Sequence, residues 1–362
     1  MPYNKRMTSF QKFGRGFSSA ICKLALLALA FVVAGNMVFG KPDTLKTTLK
    51  DSGIYSGFTD SLIQQAKTDS ATKPVGQDLP VQDPLVQEAI KKAITPEFAQ
   101  STAEQVVDGT YNWLEGKTSK PDFNVDLSGL KQNLANNVAD AGVQRAQSLP
   151  VCTTQQLRQL DPNATDPFSL PCLPPGINLQ AERQKLVNQT LTNGEFISDT
   201  SISADDLKDK GQTTSPFEKA SYVPALFQWS QILPWILGSL VLVTGAGVIL
   251  LDSERRRGIK SLSITLLITG GILAVSALIG WYFMRALDLN RDGLANTAQV
   301  QQSAVYIIRT LSGLFNKTLC IFAGIYIVLG GGGLLGLHFT KPKVSTPAPA
   351  KQPKPARTPE KH

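Results

Sequence analysis

Residues 229–251 (WSQILPWILGSLVLVTGAGVILL), 262–284 (LSITLLITGGILAVSALIGWYFM) and 318–337 (TLCIFAGIYIVLGGGGLLGL) decide the fold class of this chain. Each is close to the roughly 20 residues that a helix needs to cross a bilayer's hydrocarbon core. None contains Asp, Glu, Lys, Arg or His. Apolar runs this long and uninterrupted satisfy their backbone groups in lipid as helices, and they are longer than the buried helices of a soluble core require. Residues 229–338 therefore read as a three-span membrane bundle, with a loop over residues 285–317 on one side.

A further apolar run, LALLALAFVVAGNMVFG at residues 24–40, comes after a basic leader over residues 1–23. It reads as a signal anchor that stays as the first span, because the apolar region Ala20–Gly40, interrupted only by Lys23 and Asn36, is slightly long for a signal. A cleaved secretory signal, with Val38 and Gly40 at the small-residue positions, is the other reading. Both readings export the segment from residue 41 onward.

Where the charges sit gives the orientation. The chain of 362 residues carries a formal net charge of +8, which in a soluble domain would suggest a nucleic-acid surface. Instead, Lys5, Arg6, Lys12, Arg15, Lys23 and Lys41 precede the first acid, Asp43. Lys341, Lys343, Lys351, Lys354, Arg357 and Lys361 stand against a lone Glu360 after the last span. Residues 41–228 carry more acids than bases. Basic residues beside spans mark cytoplasmic segments, and no basic stripe with interleaved aromatics points to nucleic acid. The short loop holding Arg255, Arg256 and Arg257 is accordingly cytoplasmic. Both termini share that side, whereas residues 41–228 and 285–317 fall outside. Arg285, Arg291, Arg309 and Lys317 dissent mildly in the outer loop. The expected location is the plasma membrane, in contact with its lipid.

The exported segment 41–228 reads as a polar, largely helical domain. Asp83-Pro84 and Thr95-Pro96 each set a capping side chain before a proline at the first helical position, so helices should begin at both. Phe98, Ala99, Ala103, Val106, Val107 and Leu114 line the second of these, with Gly116 past its end. Another helix comes after Ser128, with Leu130, Leu134, Val138 and Ala141 at helical spacing. Further helices are expected over 44–50, 56–68, 154–160 and 178–192. Phe123 to Leu127 alternates like a short strand. Residues 193–228 read as a neck, partly ordered through Thr214, whose aromatic end feeds the second span as an interfacial helix. These stripes are the core of a helical domain or, alternatively, the lining of a groove for peptide or lipid.

Cys152 and Cys172 lie in this exported domain, each beside prolines. A pair in an oxidising compartment is most simply a disulfide; the close spacing of a redox-active C-x-x-C is absent. Cys22 and Cys320 fall at or within spans as small apolar residues. In the membrane block, Gly332 and Gly336, Ser276 and Gly280, and Gly270 and Ala274 are four apart, which lets helices approach closely within one bundle or between copies. The absence of ionisable residues from these spans argues against a pump or secondary transporter.

One pattern resembles a metal loop. Asp288, Asn290, Asp292 and Gly293 match the early positions of an EF-hand loop, but Gln299 stands where the bidentate carboxylate belongs. The segment is either a solvated Asx turn or a weak calcium site; no other cofactor is implied. The only histidines are His338 and His362, so the exported domain lacks a Ser-His-Asp or Cys-His set and a zinc cluster. Ser128 and Lys131 spell S-x-x-K without its companion motifs. No enzymatic activity is expected.

The stretches LKDSGIYSGFTDSLIQQA and TPEFAQSTAEQVVDGTYNWLEGK, with the Cys152–Cys172 pair and LPCLPP, resemble a group of uncharacterised bacterial membrane proteins. That resemblance implies a bacterial envelope and brings no activity. The order of one span, a large exported domain and three more spans is also similar to type VII ABC permeases, although the loop after the second span is short for that family's coupling structure. The fold class is thus mainly α: four transmembrane helices, the first open to removal as a signal, plus a largely helical exported domain with minor β. The expected function is an envelope protein whose exported domain binds a protein partner, peptide or lipid, with homo-oligomerisation as a further form of assembly. The alternative is a membrane subunit of a transport or signalling complex.

Overall fold

The computed structural model describes residues 9–70, 80–160, 168, 170–192, 200–207, 216–250, 252, 255–289 and 299–339. Four helices in it are long and apolar enough to cross a membrane: α1 (Ser9–Phe39), α10 (Val223–Leu250), α11 (Arg255–Leu289) and α12 (Gln299–Phe339). They pack as a bundle around Leu26, Ala30, Ala34, Leu273, Ala277, Leu319, Ala323 and Tyr326.

Small residues set the closeness of α11 to α12. A Cβ on Gly330 would fall 2.7 Å from the Ser263 carbonyl, and one on Gly270 would fall 3.1 Å from that of Ala323. Only glycine admits such an approach of two backbones. At the end away from the helical domain, Arg256 donates to the Leu337 carbonyl at 2.8 Å. Nearer the domain along the same pair, the Asn316 side chain donates to the Ala277 carbonyl at 3.0 Å.

The domain outside the bundle is built from α2 (Pro42–Asp51), α3 (Ile54–Ser70), α4 (Pro84–Ala93), α5 (Pro96–Leu114), β1 (Asn124–Asp126), α6 (Ser128–Gln147), α7 (Thr154–Gln159), α8 (Leu179–Thr192), β2 (Ser201–Ser203) and α9 (Pro216–Lys219). Local chemistry sets the helix starts. Asp83 accepts from the Leu85 amide at 2.8 Å and Thr95 from that of Phe98 at 3.3 Å, each filling a donor left open at a helix N-terminus. Gly116, at φ 75°, lets the chain turn off the end of α5. Ile63, Val86, Ile90, Val125, Leu134 and Val138 are buried together as the domain core. α8 lies against Ala135 and Ala139 of α6 through Val187.

Several boundaries differ from the sequence reading. The segment expected to be an outer loop is largely helical: α11 continues to Leu289 and α12 begins at Gln299, since Val300, Ala304, Ile307 and Leu311 carry the helical period beyond the span. The expected neck is not a mere connector. Its residues Ser201–Ser203 pair antiparallel with β1, Val125 opposite Ile202, and Ala204 is buried in the core. The expected interfacial helix and second span are one helix, α10. The leader boundary at residue 23 is not structural, because α1 runs unbroken from Ser9.

Candidate functional site

Among the described residues, hydrogen bonds join the helical domain to the bundle at two places. At the first, Tyr111 near the end of α5 donates to the Phe39 carbonyl at the end of α1, at 2.9 Å. Its ring meets Phe227 of α10 edge-on, with centroids 6.0 Å apart. Asn36 of α1 donates to the Ser230 carbonyl of α10 at 2.7 Å. Burial pushes the Tyr111 phenol above its ordinary pKa. At the second place, Gln299 donates to the Ser56 hydroxyl at 2.9 Å and Ser303 to the Ser52 carbonyl at 2.9 Å. The extension of α12 is thereby held against α2 and α3.

Glu97, Gln100, Ser101, Glu104, Gln105 and Asp108 line an open depression of about 420 Å³ along one face of α5. Glu104 accepts from Gln100 at 2.7 Å, and Lys46 pairs with Asp108 at 2.5 Å. Burial, then the charge of Glu104, pushes the neighbouring Tyr55 phenol up. A depression of open polar side chains lacks the apolar enclosure of a small-molecule pocket.

Of the candidates named from the sequence, Cys152 and Cys172 are joined in a disulfide with Cα atoms 4.9 Å apart. The bond closes two strand-like segments, where Cys152 donates to the Leu173 carbonyl at 3.0 Å and Leu173 to that of Pro150 at 2.8 Å. Asp288 lies in the last turn of α11, while Asn290 and Asp292 lie outside the described residues. Gln299 is turned onto α3 by its bond to Ser56. No cluster of metal-ligating side chains occurs among the described residues.

Arg255 and Arg257 are exposed, and Arg256 is half-buried against α12. Gly280 packs on Asn316, whose Oδ1 would lie 3.2 Å from an added Cβ, and Ser276 bonds back to the Ile272 carbonyl. A Cβ added at Gly332 or Gly336 would meet nothing within 4 Å; the glycines of that run whose added Cβ would press on α11 are Gly330 and Gly333. Ser128 and Lys131 sit at the start of α6, where Ser128, first through its side chain and then through its amide at 2.8 Å, holds the Asp126 carboxyl below its ordinary pKa.

Sequence reading misses Ser52, Ser56, Tyr111 and Ser303, because a lone hydroxyl carries no periodic signal. It notes Lys23 as an interruption of the apolar run but ends the leader there, outside the first span. The signal that reveals its depth is hydropathy, since the apolar stretch Gly16–Phe39 qualifies as a span with Lys23 inside it.

Taken together, the fold is that of a helical multi-pass membrane protein with one disulfide in the domain that its bundle carries. No family model, curated protein or solved structure matches the chain.

Proposed function

We propose that this is an integral envelope membrane protein that presents the 41–228 domain outside the cytoplasm as a non-enzymatic binding module for a protein, peptide or lipid. The observation that carries the reading is the Cys152–Cys172 bond, since disulfides persist in oxidising compartments. The basic residues Arg255, Arg257 and Lys260 at the opposite end of the bundle support the same orientation, with both termini cytoplasmic. α1 supplies Cys22, Leu26, Ala30 and Ala34 to the bundle core, which favours a retained anchor over a cleaved signal.

A second reading, a membrane subunit of a transport or signalling complex, draws on α12. That helix runs without a break from its contacts with Ser52 and Ser56 to the Arg256 contact at Leu337. It is placed to carry a change in the domain to a partner at the arginine loop.

The test is labelling of single cysteines at Ser101 and Lys260 with a membrane-impermeant maleimide, and then in-cell crosslinking of the full chain. Position 101 should label in intact spheroplasts and position 260 only after lysis; the reverse pattern overturns the orientation. Recovery of a stoichiometric cytoplasmic ATPase, lost on Arg255, Arg256 and Arg257→Ala, would replace the first reading with the second.

A further inference from the structure

We propose that Lys23 is an intramembrane pairing site for an Asp or Glu side chain on a membrane helix of a different protein. The inference goes beyond the proposed binding module and rests only on the four-helix membrane bundle, whichever side the domain faces.

The depth of Lys23 is set by its neighbours. Helices α1 and α11 both run toward the domain, and Ser19 Oγ lies 3.4 Å from Thr265 Oγ1. One turn further along, Lys23 stands level with Thr269. A turn beyond that, Tyr326 of α12 donates to the Leu26 carbonyl at 3.1 Å. Lys23 therefore lies between two levels at which α1 touches the other helices of the bundle.

At about 1.5 Å per residue, Lys23 is roughly 12 Å from Arg15 along α1. Thr269, at its level, is roughly 13 Å from Lys260 and roughly 24 Å from Arg285 along α11. Against a hydrocarbon core of about 30 Å, that is close to the midplane. A lysine side chain reaches about 6 Å, which leaves its ammonium short of the headgroups even when it leans toward them.

The membrane helices of this chain do not supply the opposing charge. α1, α10 and α12 contain no Asp or Glu, and the acid in α11, Asp288, lies at the helix's domain end. No described residue gives Lys23 a hydrogen bond or ion pair. The nearby threonines are neutral and bonded within their own helices, Thr269 donating to the Thr265 carbonyl at 2.9 Å and Thr244 to that of Leu240 at 2.7 Å, so neither brings the negative charge that balances an ammonium.

A second copy of the chain brings the same acid-free spans, so self-association does not neutralise Lys23. An ammonium in hydrocarbon is costly enough that such residues are paired in assembled membrane proteins. Lys23 is half-buried beside the exposed Ala20 and Leu24, the latter 68 % exposed, so an incoming helix has access to it. A carboxylate carried to this depth by a partner's helix completes the pair.

The test uses the full chain extracted with its native lipid into polymer-bounded discs, with wild type compared with Lys23→Arg and Lys23→Leu by native mass spectrometry. Wild type and Lys23→Arg should carry a second polypeptide at fixed stoichiometry, reduced at least tenfold in Lys23→Leu. That polypeptide should hold an Asp or Glu within a span. Exchanging the charges, Lys23→Asp here and acid→Lys there, should restore a complex that either change alone loses.

An unchanged complex in Lys23→Leu, a partner without an acid in its spans, or bound anionic phospholipid alone would each overturn the proposal. If Lys23→Leu fails to fold, a photoreactive residue at Leu24 with Lys23 intact decides. Crosslinks to a polypeptide with an intramembrane acid support the pair, and crosslinks to lipid alone refute it. None of these outcomes bears on the maleimide test of orientation.

Discussion

Tyr111 donates its phenolic hydroxyl to the backbone carbonyl of Phe39 at 2.9 Å, so the last turn of α5 closes the end of α1. This bond satisfies one of the carbonyls that a helix leaves open at its C-terminus. Tyr111→Phe keeps the ring packed on Phe227 and removes only the hydroxyl, leaving the Phe39 carbonyl to find water. The expected cost is about 1 kcal/mol. A lowering of the thermal midpoint by about 2–4 °C in mild detergent, with unchanged helical circular dichroism, is the expected result.

The same residue gives a pH dependence of definite sign. Burial holds the Tyr111 phenol above its ordinary value, so the folded protein keeps this proton to higher pH than the unfolded chain does. Its contribution to stability is complete below ~10 and is lost as pH rises through the folded value. Subtracting the alkaline ultraviolet titration of Tyr111→Phe from that of wild type should isolate a phenol that ionises above free tyrosine. A difference curve centred at or below the free value would contradict the burial.

Reduction of Cys152–Cys172 should destabilise the domain outside the bundle and leave the bundle intact. The bond closes a loop with a sequence separation of 20, for which the chain-entropy model gives about 3 kcal/mol. Thermal unfolding with and without reductant, read by a probe on α6 and another on α11, should show the shift at α6 only. Equal shifts at both probes would mean that domain and bundle unfold as one unit.

What the sequence discloses and what it hides divide along physical lines. Asp83 and Thr95 announce their helices because a cap before a proline is local chemistry, and the three long spans announce themselves by length and composition. Cys152 and Cys172 are legible because a cysteine pair beside prolines in an exported segment has few other uses. β2 is hidden because Ser201, Ile202 and Ser203 offer one apolar residue and gain their conformation from β1, far off in sequence. The extension of α12 is hidden because its polar residues, Gln299 and Ser303, are chosen by what α2 and α3 present. For Lys23, reading the charge as the end of a leader gives a shorter span; its depth is set by Ser19 against Thr265, a tertiary contact.

The two glycines Gly330 and Gly332 make the last prediction, because they stand in one run and differ only in what they face. A Cβ on Gly330 would sit 2.7 Å from the Ser263 carbonyl and 3.0 Å from the Leu267 amide nitrogen, both backbone atoms that cannot rotate away. Gly330→Val must therefore push α12 off α11, breaking the approach that sets Arg256 against Leu337 and Asn316 against Ala277. Gly332→Val meets nothing within 4 Å and keeps those contacts. Overpacking of a closed contact typically costs about 1–3 kcal/mol, so Gly330→Val should lower the bundle's thermal midpoint in detergent by several degrees. Gly332→Val should leave it within a degree or raise it, since valine replaces the most flexible residue in an exposed helical position. If instead Gly332→Val alone lowers the stability of the protein in its native membrane while sparing it in detergent, that face packs on another helix in the membrane. A cysteine at position 332 should then crosslink to that neighbour under mild oxidation.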